Sequence, residues 1–441
     1  MRSIKFNLSK IPHSSWDAAV ELCAIYLDRP QKANELLDQL PKSFPSNARS
    51  SCQYLFLGAL RHGHRTRSVL KQHLRKRPHP RTEAVLLVAG FELFDSPTEK
   101  APQIIHHAVE RSKRLLRPSE NGLINALLRK LSLAYQADIK DNSLFEQHSH
   151  PKWLVESWLA SFGEADCRKL LKWNQRTPQT YIKSSAKLPK GFQSTQWPQF
   201  YTTPTRKDTA EHSVLSGSDL NWLEQIRPLL ESADAYIKDP STRLASELLA
   251  PKSGDTVLDL CAAPGGKAFD LSKIMLGKGL IVAVDLPGKR TESLEENLAK
   301  IRSHLLSCER IDSDVLALNE ESFTKCKLPT KYDAVMLDVP CSNTGVIQRR
   351  TDVKWRLRES DVSACAKLQL QLLHSASRFV QPGGRLVYST CSIETEENRA
   401  VVDAFLESKS GSSFILSDTA ISYPWETGHD GAGAFLLLRN G

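Results

Sequence analysis

Apolar positions repeat with a helical period over the first third of the chain and in short unbroken runs over its last half. Residues 15–27, 54–60, 83–90 and 123–129 space their apolar side chains by three and four, which predicts helices only. Pro78 and Pro80 punctuate two of them. Residues 138–150 are polar and read as a linker. Pro151 then opens another helix at a position where proline is tolerated. A mixed segment runs to about residue 235. Beyond it, apolar strands at 256–260, 280–285, 332–338, 384–390 and 435–438 alternate with helices. Such strands imply a mostly parallel sheet covered on both faces. Ligands of these sheets bind beyond the carboxyl ends of the strands.

Composition changes this picture little, and charge changes it more. The chain has 441 residues, 40% apolar and 25% charged, with no apolar run near membrane-spanning length. Residues 1–5 lack the apolar core of a secretory signal. Nine scattered cysteines without a C-x-x-C pair indicate neither a metal site nor a disulfide framework. Reduced thiols and a cytoplasmic location are expected. Residues 1–140 carry 23 basic and 12 acidic side chains, a net of +11, and the remainder is −2. Eight of those cations (Arg61, Arg65, Arg67, Lys71, Arg75, Lys76, Arg77, Arg81) fall within residues 61–81 without an acid. A patch of this kind suits phosphate and predicts salt-sensitive nucleic-acid binding.

The chemistry sits in three runs at strand ends. Asp259-Leu260-Cys261-Ala262-Ala263-Pro264-Gly265-Gly266-Lys267 joins the first strand to a helix. Its glycines let backbone N–H groups approach a ligand, and the helix start favours an anionic group. Asp285, ending the second strand, suits ribose hydroxyls. The G-x-G-x-x-G run of dehydrogenases is absent. Cys341 follows Pro340 and Cys391 follows Thr390, each in a polar turn at the end of a strand. A lone cysteine is usually a small buried hydrophobe, the reading adopted for Cys261, Cys308 and Cys365. Two at two strand ends suggest thiolate chemistry. Spacing does not say which one attacks.

Together these runs resemble the RNA cytosine-C5 methyltransferases, in particular the RsmB/Sun/Fmu group. The runs Gly58–Arg61, Ala108–Lys113 and Gly122–Arg129 likewise resemble the NusB-like helical RNA-binding domain. The resemblance implies an α/β, Rossmann-like class I methyltransferase domain with a seven-stranded sheet over 236–441. It also implies an all-α NusB-like domain over 1–140 and a small α/β extension over 150–235. It implies S-adenosylmethionine as cofactor, held by Cys261, Ala262, Ala263, Pro264, Gly265, Gly266 and Lys267, with Asp285 at the ribose. Asp314 takes the place beside adenine, with Asp312 as the alternative, and Asp338 contacts the base and the methyl site. It implies Cys391 as nucleophile, Cys341 as aid to product release and Lys267 close to the target base. The implied substrate is small-subunit ribosomal RNA or a pre-ribosomal particle, and the implied state a monomer off the membrane. Rival readings are a tRNA methyltransferase and a non-enzymatic assembly factor. Lys183 replaces a customary Arg-x-Asn run and leaves a single cation for a phosphate. The run Arg349-Arg350-Thr351-Asp352-Val353-Lys354-Trp355 suits phosphates and a stacked base.

Overall fold

The computed structural model describes residues 14–137, 143–203 and 221–441, which fall into two compact units. The first contains the described residues of Met1–Thr177 together with Ile347–Arg356. The second contains those of Pro178–Glu211, Asn221–Val346 and Leu357–Gly441. The helical unit thus extends beyond residue 140 and includes a piece of the later sequence. No helix among the described residues is long and apolar enough to cross a membrane.

The helical unit is built on Ser15–Asp28, Ser46–Lys71, Pro80–Asp95, Ala101–Leu115, Pro118–Gln136 and Lys152–Gln175. Ser14 caps the first helix through the Asp17 N–H, and Pro80 opens the third where its missing N–H costs nothing. Both are almost wholly buried, from Trp16 to Tyr26 and from Thr82 to Phe91, so they form the centre of the unit. The charges there are paired: Asp17 binds Arg111, and Glu83 holds Arg67 at 2.6 Å and Arg77 at 2.7 Å.

The segment 347–356 packs inside this unit. Lys354 is completely buried, and its Nζ donates to the Arg61 carbonyl at 2.9 Å. Trp355 Nε1 donates to the Leu60 carbonyl at 2.8 Å, and its ring stacks on His64. Arg61 returns a bond to the Gln348 carbonyl at 3.0 Å. Lys354 is therefore structural, which overturns its expected role on phosphate. Burial, then the Arg61 charge, pushes the Lys354 amine well below its ordinary range.

The second unit holds two sheets. A small antiparallel one, in the order β2-β3-β1-β4, uses β1 (Tyr181–Ser184), β2 (Gln193–Ser194), β3 (Phe200–Thr202) and β4 (Ala235–Ile237). The large one comprises β5 (Thr256–Leu260), β6 (Gly279–Asp285), β7 (Leu306–Asp312), β8 (Tyr332–Asp338), β9 (Val380–Thr390), β10 (Phe414–Ser422) and β11 (Ala432–Arg439). Its order is β10-β11-β9-β8-β5-β6-β7, parallel from β9 through β7 and antiparallel at β11 and β10. This is the expected mostly parallel seven-stranded sheet. The strand order reverses between β5 and β8, and that switch point opens a crevice at their carboxyl ends.

Candidate active site

The end of β5 turns sharply. Cys261 adopts φ +59° and Gly265 φ +101°, a region where a side chain is strained. A Cβ on Gly265 would also lie 3.2 Å from Asn297 and Leu294, whereas one on Gly266 would meet nothing within 4 Å. The turn is thus packed from behind and open in front. Two residues of the helix Lys289–Ile301 secure it: Asn297 Nδ2 donates to the Pro264 carbonyl at 2.8 Å, and Arg290 donates to that of Ala263. Asp285 accepts the Ala263 N–H at 2.7 Å and the Leu286 N–H at 2.8 Å, which fixes its carboxylate beside the turn. The Ser313 N–H bonds the Asp285 carbonyl at 2.9 Å and brings Asp314 alongside. Asp314 is exposed and caps the short helix after it through the Leu316 N–H. Asp312 is instead paired with Arg310 at 3.1 Å.

Lys267 reaches from the first helical turn to Asp338 at the end of β8, and the Ser389 hydroxyl donates to the other Asp338 oxygen at 2.9 Å. Burial disfavours the Lys267 charge. The Asp338 carboxylate outweighs it, with help from Asp259 and Cys391, so its pKa rises. Beneath them Asp259 is fully buried, and neither of its oxygens has a hydrogen-bond partner among the described residues. Burial lifts its pKa to about 7, although Lys267 pulls the other way. Cys261 is pushed far up by burial and then by the carboxylates of Asp285 and Asp338, which keeps it a thiol.

The two cysteines of interest meet. Cys341 Sγ lies 3.0 Å from Cys391 Sγ, and Cys391 Sγ lies 3.4 Å from Asn343 Oδ1. The hydrogen bond to Cys391, then burial, raises the Cys341 pKa well above that of a free thiol. Cys341 is therefore held as a thiol. Their two loops are joined backbone to backbone: the Gly345 N–H donates to the Cys391 carbonyl at 3.1 Å. A Cβ at Gly345 would sit 2.8 Å from that oxygen and 2.5 Å from the Gly431 carbonyl, so only glycine permits the approach.

Glu397, completely buried, ties the same loops from below. It accepts from the Ser342 N–H at 2.8 Å, the Ser392 hydroxyl at 2.7 Å and Gln369 Nε2 at 2.8 Å. Sequence reasoning missed Glu397, Gln369, Asn343 and the orphaned Asp259. The acid pair Glu396-Glu397 reads as a solvated run, and its only signal is its place six residues after Cys391. Lys183, expected at a phosphate, instead pairs with buried Asp270 at 2.9 Å beside Lys238 at 2.5 Å.

The chain is similar to known proteins. The family model described as 16S rRNA methyltransferase RsmB/F matches residues 246–426, and the NusB family model matches 13–132. Ribosomal RNA small subunit methyltransferase B of Vibrio cholerae is 30% identical over 345 residues, 76% of this chain and 75% of its own. The protein of that name from Sodalis glossinidius is 28% identical over 407 residues, 88% of each chain. The crystal structure of PH0851 superposes with a TM-score of 0.70 at 23% identity, covering 97% of this chain and 99% of that one. With 30% identity across three quarters of a curated relative, the chain belongs to the RsmB/F family of 16S rRNA methyltransferases.

Proposed function

We propose that the chain methylates carbon 5 of a cytosine in small-subunit ribosomal RNA, with Cys391 as the nucleophile. The observation that carries this is the pair of thiols at the ends of β8 and β9, with Lys267 and Asp338 beside them. The cofactor is S-adenosylmethionine, which supplies an electrophilic methyl group. The residues present fit it: the front of the Gly265-Gly266 turn is open, Asp285 stands at its side for ribose hydroxyls, and exposed Asp314 lies next for adenine.

Carbon 5 of cytosine is a weak nucleophile. The Cys391 thiolate adds to carbon 6, forming an S–C6 bond and moving the electron pair onto carbon 5, which then takes the methyl. Loss of the carbon 5 proton restores the C5–C6 double bond and expels the thiolate. Lys267 favours the Cys391 anion electrostatically. Asp338, oriented by Ser389 and Lys267, faces the ring. Cys341, which keeps its proton, donates a hydrogen bond to the departing thiolate and so aids release.

Denaturing electrophoresis of enzyme with RNA and S-adenosylmethionine tests these roles. Cys391→Ala should give neither methylation nor a covalent adduct. Cys341→Ala should stall at elimination and accumulate an RNA-shifted band, which the double variant should lack. An adduct in Cys391→Ala and none in Cys341→Ala would reverse the two assignments.

A further inference from the structure

A cavity of about 940 Å³ lies inside the helical unit, apart from the cysteine crevice. Its walls are leucines, among them Leu70 and Leu87, with four aromatic rings: Tyr26, His64, Phe145 and Trp355. His64 and Trp355 lie nearly parallel, with centroids 5.8 Å apart at 29°. Burial lowers the His64 pKa, so the ring is neutral at pH 7. Five cations line the cavity against two carboxylates. Of these, Arg67 and Arg77 share Glu83, while Glu146 is tied to Ser143 and Ser68. Lys71, Arg75 and Lys76 remain exposed at the rim with no acidic partner among the described residues.

We propose that this cavity is a second RNA-binding site, which takes an unpaired base between its apolar and aromatic walls and sets the adjoining phosphates on Lys71, Arg75 and Lys76. The inference rests on the reading of the chain as an RNA enzyme. Flat aromatic surfaces next to cations accept stacked bases without regard to their edges. A base inside a duplex has both faces covered and cannot enter, so the site selects single-stranded RNA. The cations at the rim favour a polyanion, and the half-open volume is large enough to take a base. The site would hold the RNA at a nucleotide other than the one being methylated.

The test uses the full chain and short single-stranded RNA with one 2-aminopurine, read by fluorescence across a salt series. Gly63 lines the cavity, and a Cβ there makes only ordinary contact with Leu87 at 3.7 Å. Gly63→Leu should therefore fill the cavity, while Gly63→Ala serves as the folding control. Filling should weaken binding about tenfold or more with the salt slope unchanged and S-adenosylmethionine binding intact. Lys71→Ala with Lys76→Ala should lower the salt slope by about 1.4 instead. An oligonucleotide abasic at the probe position should bind the unaltered protein about tenfold more weakly, and this arm holds even if Gly63→Leu misfolds. Equal binding of abasic and intact RNA would overturn the proposal. Stronger binding of an acidic amphipathic peptide that displaces the RNA would overturn it in favour of a protein partner. RNA bound without regard to its bases, yet still methylated, would remove the site and leave the proposed function standing.

Discussion

The helical unit and the strand-end crevice treat charge in opposite ways. In the helical unit, charge is absorbed by structure. Arg67 and Arg77 are spent on Glu83 and Arg81 on Glu21, Arg65 lies over the Phe94 ring at 4.7 Å, and Arg61 is buried. Five of the eight cations of residues 61–81 are thus committed, and phosphate is left with three. In the crevice, charge is positioned but left accessible: the Asp338 side chain is 35% exposed beside Lys267. A count of basic residues along a sequence therefore overstates a nucleic-acid surface, because acids outside the run, a ring and burial absorb them.

This contrast predicts that removing charge from the crevice costs function, while removing the buried charge of the helical unit does not. The largest effect should come from Glu397→Ala, which frees both cysteine loops from their common anchor. Misplacing reacting groups by about 1 Å costs roughly 10²-fold, so methyl transfer should fall at least that far. Glu397→Gln keeps one carbonyl oxygen for Ser342 and Gln369, and the Ser392 hydroxyl can turn to accept, so most activity should return. Equal loss in both variants would show that the negative charge itself matters, not the anchoring.

A smaller effect is expected from Asp285→Ala. Losing a charged hydrogen bond to the cofactor costs ~1–3 kcal/mol, and calorimetry should show S-adenosylmethionine binding weakened about fivefold or more. Undiminished affinity would remove Asp285 from the site.

The smallest effect, and of opposite sign, belongs to Lys354→Met in the helical unit. The buried amine has its pKa lowered by burial and then by Arg61. Its unfolded form therefore binds more protons, and the stability it permits rises with pH until the unfolded lysine titrates, near about 10.4. Met keeps the volume, and the Arg61 carbonyl retains Gln175 as a donor at 3.3 Å. The variant should melt a few degrees higher than the parent at pH 6, about 1 kcal/mol or more of stability. The gap should narrow toward pH 9. A lower melting temperature at both values would mean that the lysine bond outweighs its desolvation.

The sheet's central strands were legible because they are buried on both faces and read as unbroken apolar runs. The edge strands β7 and β10 were not. Each has one apolar face, and Leu306–Asp312 alternates buried and exposed positions, which halves the signal. The turn at Gly265-Gly266 and the paired cysteines were legible because their residue types have few structural uses together. Lys354 and Lys183 were misread, and Glu397 was missed, for one reason. A charged side chain is assigned to solvent or ligand unless its buried partner is known, and each partner lies far away in sequence or belongs to the backbone.

The segment 347–356 also bears on the order in which the protein can be made. The helical unit's main stretch ends at Thr177, yet the backbone carbonyls of Leu60 and Arg61 find their indole and amine donors only in residues 354 and 355. At translation rates of about 5–20 residues per second, the intervening chain takes roughly 10–40 s to synthesise. Throughout that interval the emerging N-terminal unit lacks the last piece of its own wall, and the residues that supply it arrive directly behind Cys341. Completion of the helical unit is thereby timed to the synthesis of the strand ends that carry the two neighbouring cysteines.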